Sequence, residues 1–374
     1  FSGQDADSEG VEGLYFNFTE EEFEGIANQA ISENQSDKEK EPIFTLDQVK
    51  TWFNITGPGL HSISLNFDTK DELFTLESWD LVREIKKKIL NQRKQRIPPF
   101  TDNKGVASWN FQLISSLVDV MQYCKIDVIR QHASRLFNQS LDGLYNHFLL
   151  KTADNKMGLK HSTTKESSLP YLEDFVFFAE TQLRVYEITG NPIFKNNFRD
   201  TLDFIYQEFV SDDKVKTRAK SSEDFELYPN IDASPFDASF KSPVATLILL
   251  TRRASLLFLD REWIDRLEKL KEKVTNDVLK NPIASGEALR ALTYPDDSYR
   301  IVKLPQTWLN DAKFLGFIPY FLTRFVLDYH KEDNEEWQIC NLTSCELQGV
   351  GVDSFMATLA PQNESEEKKE NKDD

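Results

Sequence analysis

The sequence predicts an all-α-dominated fold with only a few short strands in its loops, built as a double-layered ring of α-hairpins. From Ser78 onward, apolar residues recur at helical spacing and period-2 alternation is rare. Segment 260–279 has one apolar stripe, whereas LEDFVFFAETQL at 172–183 is apolar over most of its circumference. A ring with an outer and an inner helical layer requires this alternation of peripheral and enclosed helices.

The first elements of the chain are a glycine-rich acidic segment and two capped helices. QDADSEGVEGLYF begins like a calcium loop, but Phe16 stands where an EF-hand has its closing Glu, which leaves a turn or a carboxylate cluster. TEEEFEGIANQAI places Thr19 at an N-cap and Glu22 at the capping-box position. A second short helix begins in TLDQVKTWFNI and is predicted to end before Gly57.

Longer helices separated by loops are predicted through the rest of the chain. Residues 1–360 are assigned to one domain, and the charged, apolar-poor sequence NESEEKKENKDD predicts disorder over 361–374. The predicted helices cover residues 78–96, 107–123, 126–148, 172–189, 193–210, 238–256, 260–279, 283–293 and 307–329.

Composition and charge exclude two classes of partner. With 374 residues and 40% hydrophobic content, the chain can bury a large core. Its net charge of -18 argues against binding a nucleic-acid backbone, which needs a concentrated basic surface. The basic run at 83–96 carries apolar residues at helical spacing, as the solvated face of a helix does. No apolar run is long enough for a membrane span.

The three cysteines, Cys124, Cys340 and Cys345, are few and odd in number. This usage is more typical of a reducing compartment than of a disulfide scaffold, and it favours a cytoplasmic location over secretion. Cys340 and Cys345 lie in an apolar-flanked, extended segment without the spacing of a zinc site. They are therefore expected to be buried or paired structural cysteines.

Four polar or acidic segments precede or begin apolar helices: the acidic opening, TDNKGVASWN, PYLED and FDASFKSP. In a helical ring the loops that enter the inner helices lie at one mouth, so these segments are expected to converge. Capping is the alternative for each segment, because helix N-termini favour acidic side chains. Their convergence favours a pocket at the mouth.

Paired carboxylates in such a pocket suit acid–base chemistry on glycosides, provided that one is shielded and has a raised pKa. The candidates are Glu173 or Asp174 together with Asp237. Flat apolar side chains suit sugar rings, although core packing is the alternative role for each of them. The aromatic candidates are Trp109, Tyr171, Tyr228 and Phe236.

The histidines lack HExxH or comparable spacing, so no metal is predicted. His161, in a polar loop near PYLED, is a weaker acid–base candidate. No nucleophile elbow, phosphate-binding loop or dinucleotide fingerprint is present, so no cofactor is predicted.

Several segments together resemble the thioredoxin-domain-containing six-hairpin proteins related to the spermatogenesis-associated protein family, whose bacterial members are called YyaL-like. QDADSEGVEGLYF resembles the family's A-D-S-E-G-x-E-G segment, and RKQRIPPFTDNKGVASWN resembles its stretch ending in S-W-N. LPYLEDFVFFAETQLRVYE resembles its L-E-D-Y-A segment, and CNLTSC its C-x-x-x-x-C. The order agrees from Phe1 to about Ala360.

The resemblance implies an incomplete (α/α)6 toroid similar to N-acylglucosamine 2-epimerases and six-hairpin glycosidases. It implies that the chain starts partway round the ring, with a thioredoxin-like partner domain in a missing N-terminal part. DADSEG then becomes a loop at the mouth. The substrate-binding residues that follow from this placement are Asp7, Glu9, Asp102, Trp109, Asn110 and Tyr171.

The sequence departs from the family pattern at the mouth. Asn103 replaces a second Asp, and Phe111 replaces a Gly that permits close approach. The family's D-G-A-x-P-S-G-N becomes DASFKSPV, which keeps Asp237 but loses Gly and Asn. The mouth of this member is therefore expected to bind its ligand differently or not at all.

Two functions follow. The favoured one is a non-catalytic toroid that serves as an interaction scaffold for the thioredoxin-like domain, with Phe111 and Phe240 filling the mouth. The alternative is a carbohydrate-binding or carbohydrate-processing enzyme with a sugar ligand, Glu173 or Asp174 as acid–base group and Trp109 as platform. The alternative requires a carboxyl of raised pKa that faces an aromatic-lined cavity.

Overall fold

The computed structural model describes residues 3–34, 42–66, 68, 75–151, 157–164, 170–211, 214–221, 230–294, 298–317, 325–331 and 334–359. Helices dominate it and the strands are short, which confirms the predicted fold class. The chain divides into two compact units, Phe1–Lys104 and Gly105–Asp374. The assignment of 1–360 to one domain stays a prediction. The predicted disordered tail and Tyr228 lie outside the described residues.

The first unit begins with short paired strands. The acidic opening is a hairpin whose turn residues Glu9 and Gly10 have φ values of 54° and 77°, so the turn interpretation is correct. The strands are β1 (Gly3–Gln4), β2 (Asp7–Ser8), β3 (Val11–Glu12), β4 (Phe18–Thr19), β5 (Leu60–His61) and β6 (Thr101–Asp102), paired as β1–β6, β2–β3 and β4–β5.

Three helices enclose the core of the first unit: α1 (Glu20–Glu33), α2 (Leu46–Trp52) and α3 (Leu76–Arg93). The predicted capping box of α1 is present, with Thr19 accepting from the Glu22 amide and Glu22 accepting from the Thr19 amide. Aromatic side chains such as Phe23, Trp52 and Phe53 form the buried centre.

The second unit consists mainly of helical hairpins. Helices α4 and α6 pack on each other, as do α6 and α8, while α5, α7 and α9 each pack on the helix before them. This arrangement of an inner and an outer layer is consistent with a toroid-like fold. The helices are α4 (Ala107–Tyr123), α5 (Asp127–Phe148), α6 (Leu172–Thr189), α7 (Pro192–Glu208), α8 (Pro243–Phe258), α9 (Arg261–Lys280) and α10 (Gly286–Thr293), and the hairpin of β7 (Leu149–Lys151) and β8 (Met157–Leu159) follows α5.

The two predicted kinds of helix are both present. Helix α6 is buried along almost its whole length and ends at Thr189, followed by Gly190, whose φ of 61° allows the left-handed cap. Helix α9 buries one stripe of Trp263, Leu267, Leu270 and Val274. The sequence pattern thus distinguished the enclosed helix α6 from the peripheral helix α9.

Two predicted helices need correction. The helix predicted over 238–256 begins only at Pro243, because Ser242 is its N-cap and proline favours the first helical position. The helix predicted over 307–329 is wrong. A 3-10 turn over Gln306–Asn310, a short helix α11 (Ala312–Phe317) and a strand at Phe325–His330 lie there instead. Gly316, one residue before the end of α11, has a low helix propensity, and residues 318–324 of the predicted helix lie outside the described part of the chain.

A four-stranded mixed sheet follows the helices. Its order is β10–β9–β11–β12, with β10 parallel to β9 and the other pairs antiparallel. Trp308, Phe314, Trp337 and Phe355 pack beneath it. The strands are β9 (Arg300–Pro305), β10 (Phe325–His330), β11 (Glu336–Cys340) and β12 (Cys345–Val350), and helix α12 (Val352–Leu359) ends the described chain.

A disulfide joins Cys340 at the end of β11 to Cys345 at the start of β12. The expectation of paired cysteines in an extended segment is therefore confirmed. Among the described helices, none has the length and apolar character needed to cross a bilayer.

Candidate functional site

A cluster of ionisable side chains lies at the N-terminus of α6. Asp174, in the first turn, has no exposed surface. Its Oδ2 accepts a hydrogen bond from the Tyr171 amide at 2.9 Å and lies 2.9 Å from Nδ1 of His161. Its Oδ1 accepts from the Ser108 amide at 3.1 Å. One carboxylate therefore connects the start of α6, the start of α4 and the segment after β8.

Local backbone bonds bring His161 to this position. Val106 and Ser162 form an isolated antiparallel bridge, and the Ala107 amide donates to the His161 carbonyl at 2.8 Å. The N-terminus of α4 thus holds the His161 segment through main-chain bonds. The Asp174 side chain also caps its own helix by accepting a hydrogen bond from the Tyr171 amide. Asp174 is therefore both a helix-capping residue and a member of the candidate site.

Glu173 is the partly buried neighbour of this group. The hydroxyl of Ser108 donates to its Oε1 at 3.1 Å. Burial raises the pKa of Glu173 and the nearby Asp174 raises it further, while the Ser108 hydrogen bond and His161 act in the opposite direction. Burial also raises the pKa of Asp174, against the hydrogen bonds from His161, Tyr171 and Ser108. Both carboxyls therefore hold their protons more strongly than carboxyls in water.

A cavity of about 420 Å³ opens beside these groups. We call it the α6 cavity. The His161 ring packs edge-on against the Tyr171 ring with centroids 4.9 Å apart, and the Arg218 guanidinium lies 5.8 Å from the Tyr171 centroid. The cavity is lined by His161, Tyr171, Leu172, Glu173, Thr217, Ala233, Ser234, Phe236, Ala238, Phe240, Ser242 and Pro243.

Asp237 lies in the segment that lines this cavity but does not line it itself. Its Oδ1 accepts from the Ser242 amide at 2.8 Å, and its Oδ2 accepts from the Glu287 amide at 2.9 Å. Both oxygens thus hold backbone groups at the starts of α8 and α10. These contacts are those of a helix-capping residue.

The three α4 residues named from the sequence have separate roles. Trp109 is 46% exposed and does not line the α6 cavity. The side-chain amide of Asn110 donates to the Val106 carbonyl at 2.7 Å. Phe111 is buried in the helical core against Phe148 and Phe178, while Phe240 lines the cavity and leaves it open.

Three other predicted residues belong to the first unit. Asp7 is exposed within the opening hairpin, and Glu9 lies in its turn. Asp102 forms an ion pair with Lys104 at 2.8 Å. Glu9 contributes to a separate cavity of about 390 Å³ inside the first unit, where Arg96 is held by backbone carbonyls and by Glu22.

A second cavity, about 800 Å³ and so larger than the α6 cavity, is a groove between α7 and α9. Its charged groups include the Asp203–Arg266 ion pair, with Arg266 stacked on Tyr206. Among its lining residues we find no pair of acid and base comparable to Glu173 and His161. Size alone therefore does not make this groove the better site.

The ligand atoms of His161, Glu173 and Asp174 lie within 4.8 Å of one another, a spacing that a metal ion could use. The oxygens of Asp174, however, already accept N–H groups from Ser108 and Tyr171 and lie against His161. A cation would have to displace these donors. The donor set therefore suits an acid–base cluster better than a metal centre.

Sequence reasoning named Glu173, Asp174 and Tyr171, which the structure brings together. It gave His161 only minor weight and did not identify Ser108, Thr217 or Ser234 as site residues. The position of Ser108 in the first turn of α4 was the available signal, because that turn follows a polar segment, as the first turn of α6 does.

The chain matches no family model and no curated protein. The resemblance to the thioredoxin-domain-containing six-hairpin proteins therefore rests on the quoted motifs and stays a prediction.

Proposed function

We propose that the α6 cavity binds a sugar and catalyses proton transfer on it, with Glu173 as the general acid and His161 as the base. The proposal depends on one observation. A carboxyl with a raised pKa and a histidine paired with a buried aspartate both line a cavity that also contains Tyr171, Phe236 and Phe240. This is the arrangement that the carbohydrate alternative required.

The roles follow from the contacts. Glu173 retains its proton to higher pH than an ordinary carboxyl and can therefore act as an acid at a pH where an ordinary carboxyl is already ionised. The hydrogen bond to Asp174 favours the His161 tautomer with a proton on Nδ1, which makes Nε2 the basic nitrogen. Tyr171, Phe236 and Phe240 offer flat apolar surface to a sugar ring.

Epimerase-like chemistry fits these groups better than glycoside hydrolysis by two carboxylates. Among the described residues that line the cavity, Glu173 supplies the carboxyl. The oxygens of Asp174 and Asp237 are occupied by amide and imidazole donors. In the proposed step, His161 takes the proton from the carbon next to the carbonyl of an open-chain sugar. Glu173 protonates the carbonyl oxygen, which yields an enediol.

The test is hydrogen exchange into sugars in D₂O. Incubation with a panel of aldoses and ketoses should replace the proton next to the carbonyl by deuterium, as followed by proton NMR. Glu173→Gln and His161→Gln should each lower the exchange rate by roughly 100-fold or more. Trp109→Ala is the matched control, because Trp109 is exposed and does not line the cavity.

If no sugar shows exchange or binding, the scaffold hypothesis becomes the better account. In that case the thioredoxin-like domain stays the predicted partner. Phe111 lies in the core and Phe240 leaves the cavity open, so the filled mouth that the scaffold hypothesis predicted has less support than the acid–base cavity.

A further inference from the structure

We infer that Ser108 is a positioning residue for Glu173. Its hydroxyl group holds the carboxyl in one orientation and occupies Oε1, so that Oε2 carries the proton and is the oxygen that acts on the ligand. This inference rests on the proposed function of the α6 cavity. Ser108 is fully buried in the first turn of α4 and makes two different contacts with adjacent residues of α6. Its amide donates to Asp174, and its hydroxyl donates to Glu173.

The backbone and the side chain of Ser108 contact different carboxyl groups. The hydrogen bond from its backbone amide to Oδ1 of Asp174 positions the carboxyl group that contacts His161. The hydroxyl bond of 3.1 Å occupies Oε1 of Glu173. Within the described part of the chain, no donor bonds to Oε2 of Glu173, and Glu173 lines the cavity. The oxygen left to exchange a proton with a ligand is therefore Oε2.

The ionisable groups that act on Glu173 come from two places. Asp174 is its neighbour on α6, and His161 comes from the segment after β8. The first turns of α4 and α8 carry no ionisable side chain, and Lys241 before α8 is paired with Glu180. Ser108 is thus an uncharged residue that contacts Glu173. The hydrogen bond that its hydroxyl group donates stabilises the ionised carboxylate and so lowers the pKa of Glu173.

Ser108→Ala separates the two contacts cleanly. The variant keeps the hydrogen bond to Asp174, because the backbone amide donates it. It loses only the hydrogen bond from the hydroxyl group to Glu173. A matched control lies two helical turns further along α4. There Ser115 is also buried and hydrogen-bonds across the same helix pair, through its hydroxyl to Thr181 at 3.2 Å. Ser115→Ala removes a comparable bond away from the cavity.

The first measurement needs no ligand. The pKa of Glu173 is followed by carbon NMR of protein labelled at the Glu carboxyl carbons, with Glu173→Gln identifying the resonance. Ser108→Ala should move the Glu173 titration to higher pH, and Ser115→Ala should leave it in place. An unchanged or lowered pKa in Ser108→Ala, or an equal rise in both variants, would overturn the inference.

The second measurement uses the sugar that shows the fastest exchange in D₂O. Ser108→Ala should lower kcat by roughly 10-fold or more with little change in KM, and should move the alkaline limb of the rate profile to higher pH. An unchanged profile with normal exchange would overturn the role of Ser108 while the proposed function stands. If no sugar exchanges, the proposed function fails, and the NMR titration still decides whether Ser108 controls Glu173.

Discussion

Nδ1 of His161 lies 2.9 Å from Oδ2 of Asp174, an aspartate whose side chain has no contact with solvent. The same carboxylate accepts the amides of Tyr171 and Ser108. Three elements of the second unit thus depend on one buried carboxyl group. A buried carboxyl group stabilises a fold only while its oxygens keep their hydrogen bonds to the surrounding N–H groups.

We expect Asp174→Asn to lower the free energy of unfolding by about 2 kcal/mol. The amide NH₂ of Asn would replace one accepting oxygen and leave either the Ser108 amide or the Tyr171 amide facing a donor. Urea unfolding followed by circular dichroism measures the change, with the exposed Asp265→Asn as control. Equal stability of Asp174→Asn and wild type would mean that the carboxyl is held in its neutral form.

The sequence predicted the parts of this fold that local residues determine. The Thr19–Glu22 capping box and the enclosed character of α6 follow from neighbours within one or two turns. The strand at Phe325–His330 could not be found in this way, because its partner is β9, which lies about 25 residues earlier in the chain. Nothing local to FVLDYH requires that parallel pairing.

The same limit applies to the site. Glu173 and Asp174 were predicted because acidic residues open an apolar helix, a signal contained in PYLED itself. His161 and Ser108 join them only through the Val106–Ser162 bridge and the packing of α4 on α6. These contacts link segments more than 50 residues apart. Asp237 shows the converse, since a polar segment before an apolar helix predicted a site residue and the structure gives it capping contacts.

Glu173→Gln should make the protein more stable than wild type at neutral pH. Because the pKa of Glu173 is raised in the folded state, its stabilising contribution is complete below the pKa of an unfolded glutamate, about 4.3. It is lost as pH rises through the raised pKa. The Tm values of wild type and Glu173→Gln, measured between pH 4 and pH 8, should therefore coincide near pH 4 and diverge as the pH rises.

The control for this prediction is Glu272→Gln, at an exposed position of α9. Its Tm difference from wild type should stay small and nearly constant over the same pH range. A Tm difference for Glu173→Gln that shrinks as pH rises would contradict the direction of the shift.

Asp237→Ala should destabilise the protein by about 1 to 2 kcal/mol without changing sugar exchange directly. The substitution removes the acceptor for the Ser242 and Glu287 amides, and the loss of helix caps has costs of this size. Thermal unfolding measures the stability, and the D₂O assay at a temperature well below Tm measures the activity. A loss of activity as complete as that of Glu173→Gln would instead assign Asp237 to the chemistry.

Reduction of the Cys340–Cys345 disulfide should lower stability by about 2 kcal/mol, the value expected for a closed loop of six residues. The bond closes the hairpin of β11 and β12, which is followed by α12 and its buried Phe355. Urea unfolding with and without a dithiol reductant measures the effect. The double variant Cys340→Ser/Cys345→Ser should not respond to the reductant, and a wild type equally insensitive would mean that the bond contributes nothing.

Glu187, near the C-terminal end of α6, carries the largest expected effect on stability. It has no exposed surface, and its carboxylate lies 2.7 Å from Arg253 and 3.4 Å from Arg184. Glu187→Leu would leave both guanidinium groups without this counter-charge in the interior, and removal of one partner of a buried pair costs about 3 to 5 kcal/mol. Urea unfolding measures the loss.

The exposed pair between Lys280 and Asp277 on α9 supplies the comparison, since its side chains are 75% and 52% exposed. Asp277→Asn should change stability by less than about 0.5 kcal/mol, because solvent screens a pair of this kind. If Glu187→Leu proved as mild as Asp277→Asn, the remaining bonds of Arg184 to Asp119 and of Arg253 to the Phe325 carbonyl would be sufficient for the two guanidinium groups. In that case α6 would tolerate an apolar residue at this position.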